Sequence, residues 1–107
     1  MRRDVLGTFE YQILSALLHE PRDAYGATIQ ERIEERTGRD VSVGALYTSL
    51  DRLETKGLVS SWWGEATAER GGRRKRYYKI LASGIAAVRR TEAVLGRFAS
   101  AMKPIGA

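Results

Sequence analysis

The sequence predicts a mostly α-helical chain with one small β-hairpin, and a few stretches carry that prediction. VSVGALYTSLDRLETKG, from Val41 to Gly57, has helical periodicity. LVSSWW and RYYKIL are strand-like and flank a loop that holds ERGGRRKR. From Ala82 the helical pattern returns. An amphipathic helix beside a hairpin tipped with cations can lay one element in a DNA groove while gripping the phosphates next to it, so the pair reads as a recognition helix and its wing. The expected architecture is therefore a winged helix-turn-helix over residues 1–81 followed by a dimerisation helix over 82–107.

Taken in order, Thr8 is placed to cap a first helix whose apolar residues, Phe9, Ile13, Leu14, Leu17 and Leu18, cover a broad stripe, and Pro21 ends it. So broad a stripe suggests two partners, the rest of the core and a second subunit, which makes Phe9 and Ile13 candidate dimer contacts. Asp23 can cap the next helix, where Tyr25, Ile29 and Ile33 recur every four residues and Gly38 supplies a stop. Its outer face, Glu31, Arg32, Glu34, Glu35 and Arg36, is of mixed sign and largely acidic. Such a face is poorly suited to lie along phosphate, so positive surface is concentrated after Val41.

The third helix is bracketed by local chemistry. Ser42 can accept a hydrogen bond from an orphan amide of the first turn, and Gly57 can take the left-handed conformation that closes the last. Leu46, Leu50 and Leu53 fall on one buried stripe; Tyr47, Thr48, Asp51 and Arg52 lie off it. Gly44 and Ala45 carry almost no side chain, which lets the helix start approach a DNA backbone or base edge. The competing reading is equally simple: Gly44 makes room for a neighbouring helix and Tyr47 is a half-buried packing residue.

In the hairpin, Leu58 to Trp63 form the first strand and residues 64–75 the loop, with Gly71 and Gly72 turning the chain into the unbroken cationic run Arg73, Arg74, Lys75 and Arg76. Alternation places Tyr78 and Ile80 inward, with Tyr77 and Lys79 outward. A run bounded by glycines and by such a strand is held in place, unlike a dangling basic tail. Ser42, Gly44, Tyr47, Thr48, Arg52, Gly72, Arg73, Arg74, Lys75 and Arg76 are thus the candidate DNA contacts. Trp62 and Trp63 must point to opposite faces, so one of them is expected at the surface, where it either covers the edge of a small sheet, the simpler reading, or forms an aromatic surface for an effector or the partner's C-terminal helix.

After Ala82, with Ser83 or the preceding turn as its start, Ile85, Val88, Leu95, Phe98 and Met102 fall near a 3.5-residue spacing that Glu92 interrupts. One-sided helices need a partner. With the winged-helix body complete before it, this helix is expected to pack on the same helix and the first helix of a second copy. The final KPIGA contains Pro104 and is expected to fray.

Composition narrows the function. At 107 residues there is room for one domain. A net charge of +5 and a pI of about 9.9 favour a polyanionic partner, without separating DNA from RNA or an anionic membrane surface. No cysteine is present, so disulfides, thiolate metal sites and thiol nucleophiles are excluded. The lone His19 lies at a helix end and reads as a surface group. There is no Ser, His and carboxylate pairing, no metal-ligand cluster and no phosphate-cradling glycine loop, so neither an enzyme nor a bound cofactor is expected. No apolar run is long enough to span a bilayer and MRRDVLGTFEYQ lacks the core of a signal peptide, which points to the cytoplasm.

In order, LGTFEYQILSALL, then DAYGATIQERIEERTGRDVSVGALYTSLDRLETKGLV, then GGRRKRYYKIL, the chain resembles the PadR family of bacterial winged-helix transcriptional regulators from Leu6 to about Leu81. Tyr25 and Gly26 match the family's Tyr-Gly pair. Gly44, Leu46, Tyr47, Leu50 and Leu53 match its recognition helix, and Gly72, Arg73, Arg74, Lys75, Arg76, Tyr77 and Tyr78 its wing. The resemblance implies a dimeric repressor whose recognition helices enter major grooves, whose wings touch the flanking backbone or minor groove, and whose C-terminal helix makes the dimer. Such a repressor would act on double-stranded DNA at a palindromic operator, with a small-molecule effector at the dimer interface as a further partner. Many members carry a tryptophan on the C-terminal helix that lines a pore there; Leu95 stands in its place beside Gly96, which counts against stacking of a flat aromatic effector. The reading from a different class is a winged helix that binds a partner protein or RNA through the same basic wing.

Overall fold

The computed structural model describes residues 5–20, 22–65 and 74–102. Four helices and a small antiparallel sheet follow in the order α1 (Thr8–Leu18), β1 (Ala24–Tyr25), α2 (Gly26–Thr37), α3 (Val43–Thr55), β2 (Val59–Trp63), β3 (Arg76–Ile80) and α4 (Ala82–Ala101). The sheet runs β1-β3-β2, with β3 in the middle. Val59 to Trp63 pair residue by residue with Ile80 to Arg76, while Ala24 and Tyr25 pair with Tyr78 and Tyr77.

β1 is the element that periodicity misses. Two residues are too short to show alternation, and they become a strand only because β3 offers them an open edge. Their capture moves the start of α2. Asp23 does not cap that helix; Tyr25 is its N-cap, and Thr28 Oγ1 accepts from the Tyr25 amide at 2.9 Å. At α1 the N-cap is Gly7 and Thr8 is already helical, with the Glu10 carboxylate accepting from the Gly7 amide at 3.4 Å. The other punctuation agrees with expectation. Ser42 Oγ accepts from the Ala45 amide at 3.2 Å, and Gly38 and Gly57 hold φ of 70° and 77°, the left-handed region where a side chain would be strained.

The core lies where the three N-terminal helices and the sheet meet. Ile13, Leu14 and Leu17 of α1, Ile29 and Ile33 of α2, and Leu46, Leu50 and Leu53 of α3 close on Val59, Tyr78 and Val88. Each such side chain contributes about 1.5 to 3 kcal/mol by leaving water. The first half of α4 belongs to this body. Gly84 is packed so closely that a Cβ would overlap the Leu58 carbonyl oxygen, and Val88 is fully buried. Beside it, Thr91 Oγ1 accepts from the Leu6 amide at 3.0 Å and donates to the Ala87 carbonyl at 2.9 Å. Glu92, which breaks the apolar pattern of α4, accepts from the Tyr11 hydroxyl at 2.8 Å and so ties α4 to α1.

Candidate nucleic-acid interface

Helix α3 has two unlike faces. Leu46, Leu50 and Leu53 are at most 1% exposed, whereas Ser42, Gly44, Tyr47, Thr48, Asp51 and Arg52 are all open to solvent. That division follows from the helical repeat alone. Packing of the leucines on α2 and the sheet turns the other face outward, beside the hairpin. The Ser42 hydroxyl is engaged as the cap, so its contribution to an interface is its backbone and the free amides it leads into.

The hairpin presents its cations unevenly. Arg74 and Lys75 are exposed. The Gly64 amide donates to the Lys75 carbonyl at 2.8 Å, closing the hairpin, and Arg74 Nε donates to the Gly64 carbonyl at 2.8 Å. Lys75 Nζ stands 4.3 Å from the centre of the Tyr25 ring, a cation–π contact that restrains a flexible side chain. Arg76 differs. Its guanidinium donates to Glu54 Oε1 at 3.0 Å and to Ser61 Oγ at 2.9 and 3.0 Å, and Ser61 in turn donates to Glu54 Oε2 at 2.8 Å. Arg76 is the first residue of β3, and its charge is compensated across the α3–β2 junction. Unlike its exposed neighbours in the cationic run, Arg76 is engaged within the chain, where it fastens the wing to α3. Gly72 and Arg73, also expected at the interface, lie outside the described residues, as do Gly71, Pro21 and the KPIGA tail.

Between α3 and the hairpin lies a cleft of about 330 Å³, with Tyr25, Tyr47, Asp51, Trp63 and Lys75 among the residues around it. Tyr78 forms part of its floor. Its ring is 1% exposed, and among the described residues its hydroxyl has no hydrogen-bond partner. Burial raises the pKa of this phenol above its ordinary 10.0; the positive Arg76 opposes the rise and Asp51 adds to it. The two tryptophans depart from expectation. Trp62 is 36% and Trp63 54% exposed, so both reach the surface. Alternation sends them to opposite faces, yet among the described residues neither is sealed from solvent. Trp62 stacks on its cross-strand partner Tyr77 at 5.8 Å, and Trp63 lies near the guanidinium groups of Arg74 and Arg76 at 6.0 and 5.6 Å.

The residues expected to pair two chains divide as well. Ile13 and Val88 are fully buried within the chain and have no surface left for a partner, which corrects their assignment to a dimer face. The breadth of the α1 stripe has an internal cause, since α1 packs against α2, α3, α4 and β3 at once. Phe9 and Ile85 are half-buried. Leu95, Phe98 and Met102 are 53%, 64% and 64% exposed and line the free end of α4.

Among the described residues no cluster of His, Asp and Glu could hold a metal ion, and no helix is long and apolar enough to cross a membrane. Two features of the site escaped sequence reasoning. The Arg76–Glu54–Ser61 network has no signature in spacing, because three separate elements supply it. The seating of Tyr47 against Gly26 was half visible, in that the Tyr25-Gly26 pair stood out without its partner.

A helix-turn-helix whose second helix exposes small and polar residues beside a cation-bearing hairpin defines a winged-helix DNA-binding protein. The model of the transcriptional regulator PadR-like family matches residues 13–90, and the chain belongs to that family. Among solved structures it is similar to a PadR family transcription regulator from Clostridium difficile R20291, with 26% identity and a TM-score of 0.74 over 90% of this chain and 95% of that one. A transcriptional regulator from Clostridium thermocellum, also 26% identical, gives a TM-score of 0.72 over 92% of both chains. A PadR family transcriptional regulator from Eggerthella lenta gives 26% and 0.73 over 89% of this chain and 78% of that one. No curated protein matches the chain. As a family member the chain is a transcriptional regulator, and regulation of this class works through DNA binding.

Proposed function

We propose that the chain is a homodimeric repressor that binds a palindromic operator in the cytoplasm. The observation that carries this reading is the exposed row Gly44, Tyr47, Thr48 and Arg52 on α3, set beside the exposed cations Arg74 and Lys75. α3 lies in the major groove with Thr48 and Arg52 at base edges and the small Gly44 against the backbone. Tyr47, Arg74 and Lys75 hold phosphates on either side, which fixes position without reading sequence. The dimer is supported by the free end of α4, where Leu95, Phe98 and Met102 form an exposed apolar patch. Two-fold pairing through that end sets two α3 helices about 34 to 36 Å apart, one turn of DNA.

The test is a mobility shift on the DNA upstream of the protein's own gene against a scrambled duplex, over a range of salt. Replacing Thr48 or Arg52 by Ala should cost about 1 to 3 kcal/mol on the operator and far less on the scrambled DNA. Equal losses on both would move specificity to DNA shape.

A further inference from the structure

Gly26 is the first residue of α2, where the chain leaves β1, and it is buried. A Cβ placed on it would overlap the Tyr47 hydroxyl and lie 2.6 Å from Tyr47 Cζ and 3.2 Å from Cε2. All three of the nearest atoms belong to Tyr47. The backbone at Gly26 is outside the left-handed region, so an L-residue is allowed there and conformational freedom does not explain the glycine. Its missing side chain has one evident use, which is to leave a seat for the tip of the Tyr47 ring.

Other glycines show why this differs from ordinary packing. At Gly84 a Cβ would strike the Leu58 carbonyl, a backbone atom that cannot move without shifting β2. At Gly26 the three atoms it would meet first are the far end of a side chain that is 39% exposed. A methyl at Gly84 threatens the fold; at Gly26 it displaces a phenol. The neighbouring residue holds the other half of the interface, since the Tyr25 ring carries the Lys75 ammonium on its face and meets Tyr77 edge-on at 5.7 Å. Residues 25 and 26 thus touch both the recognition helix and the wing.

We propose that Gly26 is a positioning residue for DNA binding: by leaving the space that the tip of Tyr47 occupies, it fixes the phenol on the DNA-facing side of α3 so that its hydroxyl meets a backbone phosphate. This rests on the reading of α3 as the DNA-contacting helix. A hydroxyl held in place donates to a phosphate at little entropic cost, and one that swings on two free torsions does not. Gly26 touches no DNA itself; it acts through Tyr47.

The test is a double-mutant cycle on the full chain, with Gly26→Ala, Tyr47→Ala and the combination. Because a phosphate contact is independent of sequence, a mixed-sequence duplex of about 30 base pairs at low salt is a sufficient probe. Gly26→Ala should melt at or above the wild-type temperature, since Ala favours the helix, yet bind the duplex about tenfold more weakly. In the Tyr47→Ala background the same substitution should change binding less than about twofold, because the group it displaces is gone. Wild-type affinity in Gly26→Ala, with Tyr47→Ala weakened, overturns the proposal and leaves α3 on the DNA. An equal loss from Gly26→Ala in both backgrounds also overturns it, by showing a role apart from Tyr47. Full affinity in Tyr47→Ala removes the phenol from the interface and ends both this proposal and that part of the α3 reading.

Discussion

The two halves of α4 share one helix and one apolar repeat, yet they end in opposite environments. From Ala82 to Thr91 the helix lies on α1 and the sheet and buries Gly84, Ala87, Val88 and Thr91. From Glu92 onward Leu95, Phe98 and Met102 stand in solvent. The buried residues are small and the exposed ones are large and apolar, so side-chain hydrophobicity does not decide which half is covered; what lies opposite does. α1 is 11 residues long and α4 is 20, so the body runs out of surface to offer before the helix ends. A period in the sequence reports which side of a helix is apolar, and only the neighbouring elements decide how far along its length that side is covered. The cationic run of the hairpin repeats the lesson at smaller scale: Arg76 is paired with Glu54 inside the chain, while Arg74 and Lys75 remain outside.

Substitutions that treat the two halves alike should have unlike results. Val88→Asp places a carboxylate in the sealed core and should cost more than about 4 kcal/mol, a large part of the total stability of a domain this size, so the chain should lose its cooperative thermal transition by circular dichroism. A folded Val88→Asp protein would show that the first half of α4 is as dispensable to the body as the second. Converting Leu95 and Phe98 together to Asp should leave the fold intact and yield a monomer by sedimentation, with operator affinity down by about a hundredfold because each half-site is then bound alone. If the wild-type chain sediments as a monomer at micromolar concentration and still binds the operator fully, the free end of α4 has another role.

The cations give the next contrast. Arg74→Ala with Lys75→Ala should flatten the slope of log affinity against log salt by roughly 1.8, the value for two lost phosphate contacts. Arg76→Ala should leave the slope nearly unchanged and instead lower stability by about 1 kcal/mol, since its half-exposed ion pair is modest and Glu54 regains water. A steep change of slope with Arg76→Ala would return it to the phosphates.

The smallest effect concerns the floor of the cleft. Tyr78→Phe removes a buried hydroxyl that has no partner among the described residues, and should raise stability by about 1 kcal/mol. It should also alter the alkaline limb. A phenol whose pKa is raised by folding keeps its proton in the native state, so stability is intact below the ordinary value of 10.0 and falls as pH rises through the higher native one. With Phe at that position the fall above pH 10 should shrink. It should not vanish, because Tyr11, whose pKa is raised by its hydrogen bond to the Glu92 carboxylate and by burial, titrates in the same direction.

Much of the body was legible from local chemistry. Leu46, Leu50 and Leu53 mark the buried side of α3 because the helical repeat allows them nowhere else, and Gly38, Gly57 and Ser42 mark its limits and those of α2 because few residues satisfy a left-handed turn or an orphan amide. Charge and the absence of cysteine bounded the function, and the ordered Tyr-Gly, recognition-helix and wing motifs carried the resemblance that the family match then bore out. Tertiary structure decided the rest, and for one reason: each remaining feature depends on a partner distant in the chain. β1 exists because β3 has an open edge. Ile13 and Val88 are core because several elements converge on them, while Leu95 is surface because no described element covers it. Arg76 is a fastener because Glu54, 22 positions away, is there to meet it, and Gly26 matters because the Tyr47 ring folds back onto it. Periodicity is a property of a few consecutive residues, so sequence determines it, and it determines a cap such as Ser42 where no neighbouring element moves the helix start; pairing and burial, and with them the start of α2, are properties of what packs opposite, which no short stretch of sequence contains.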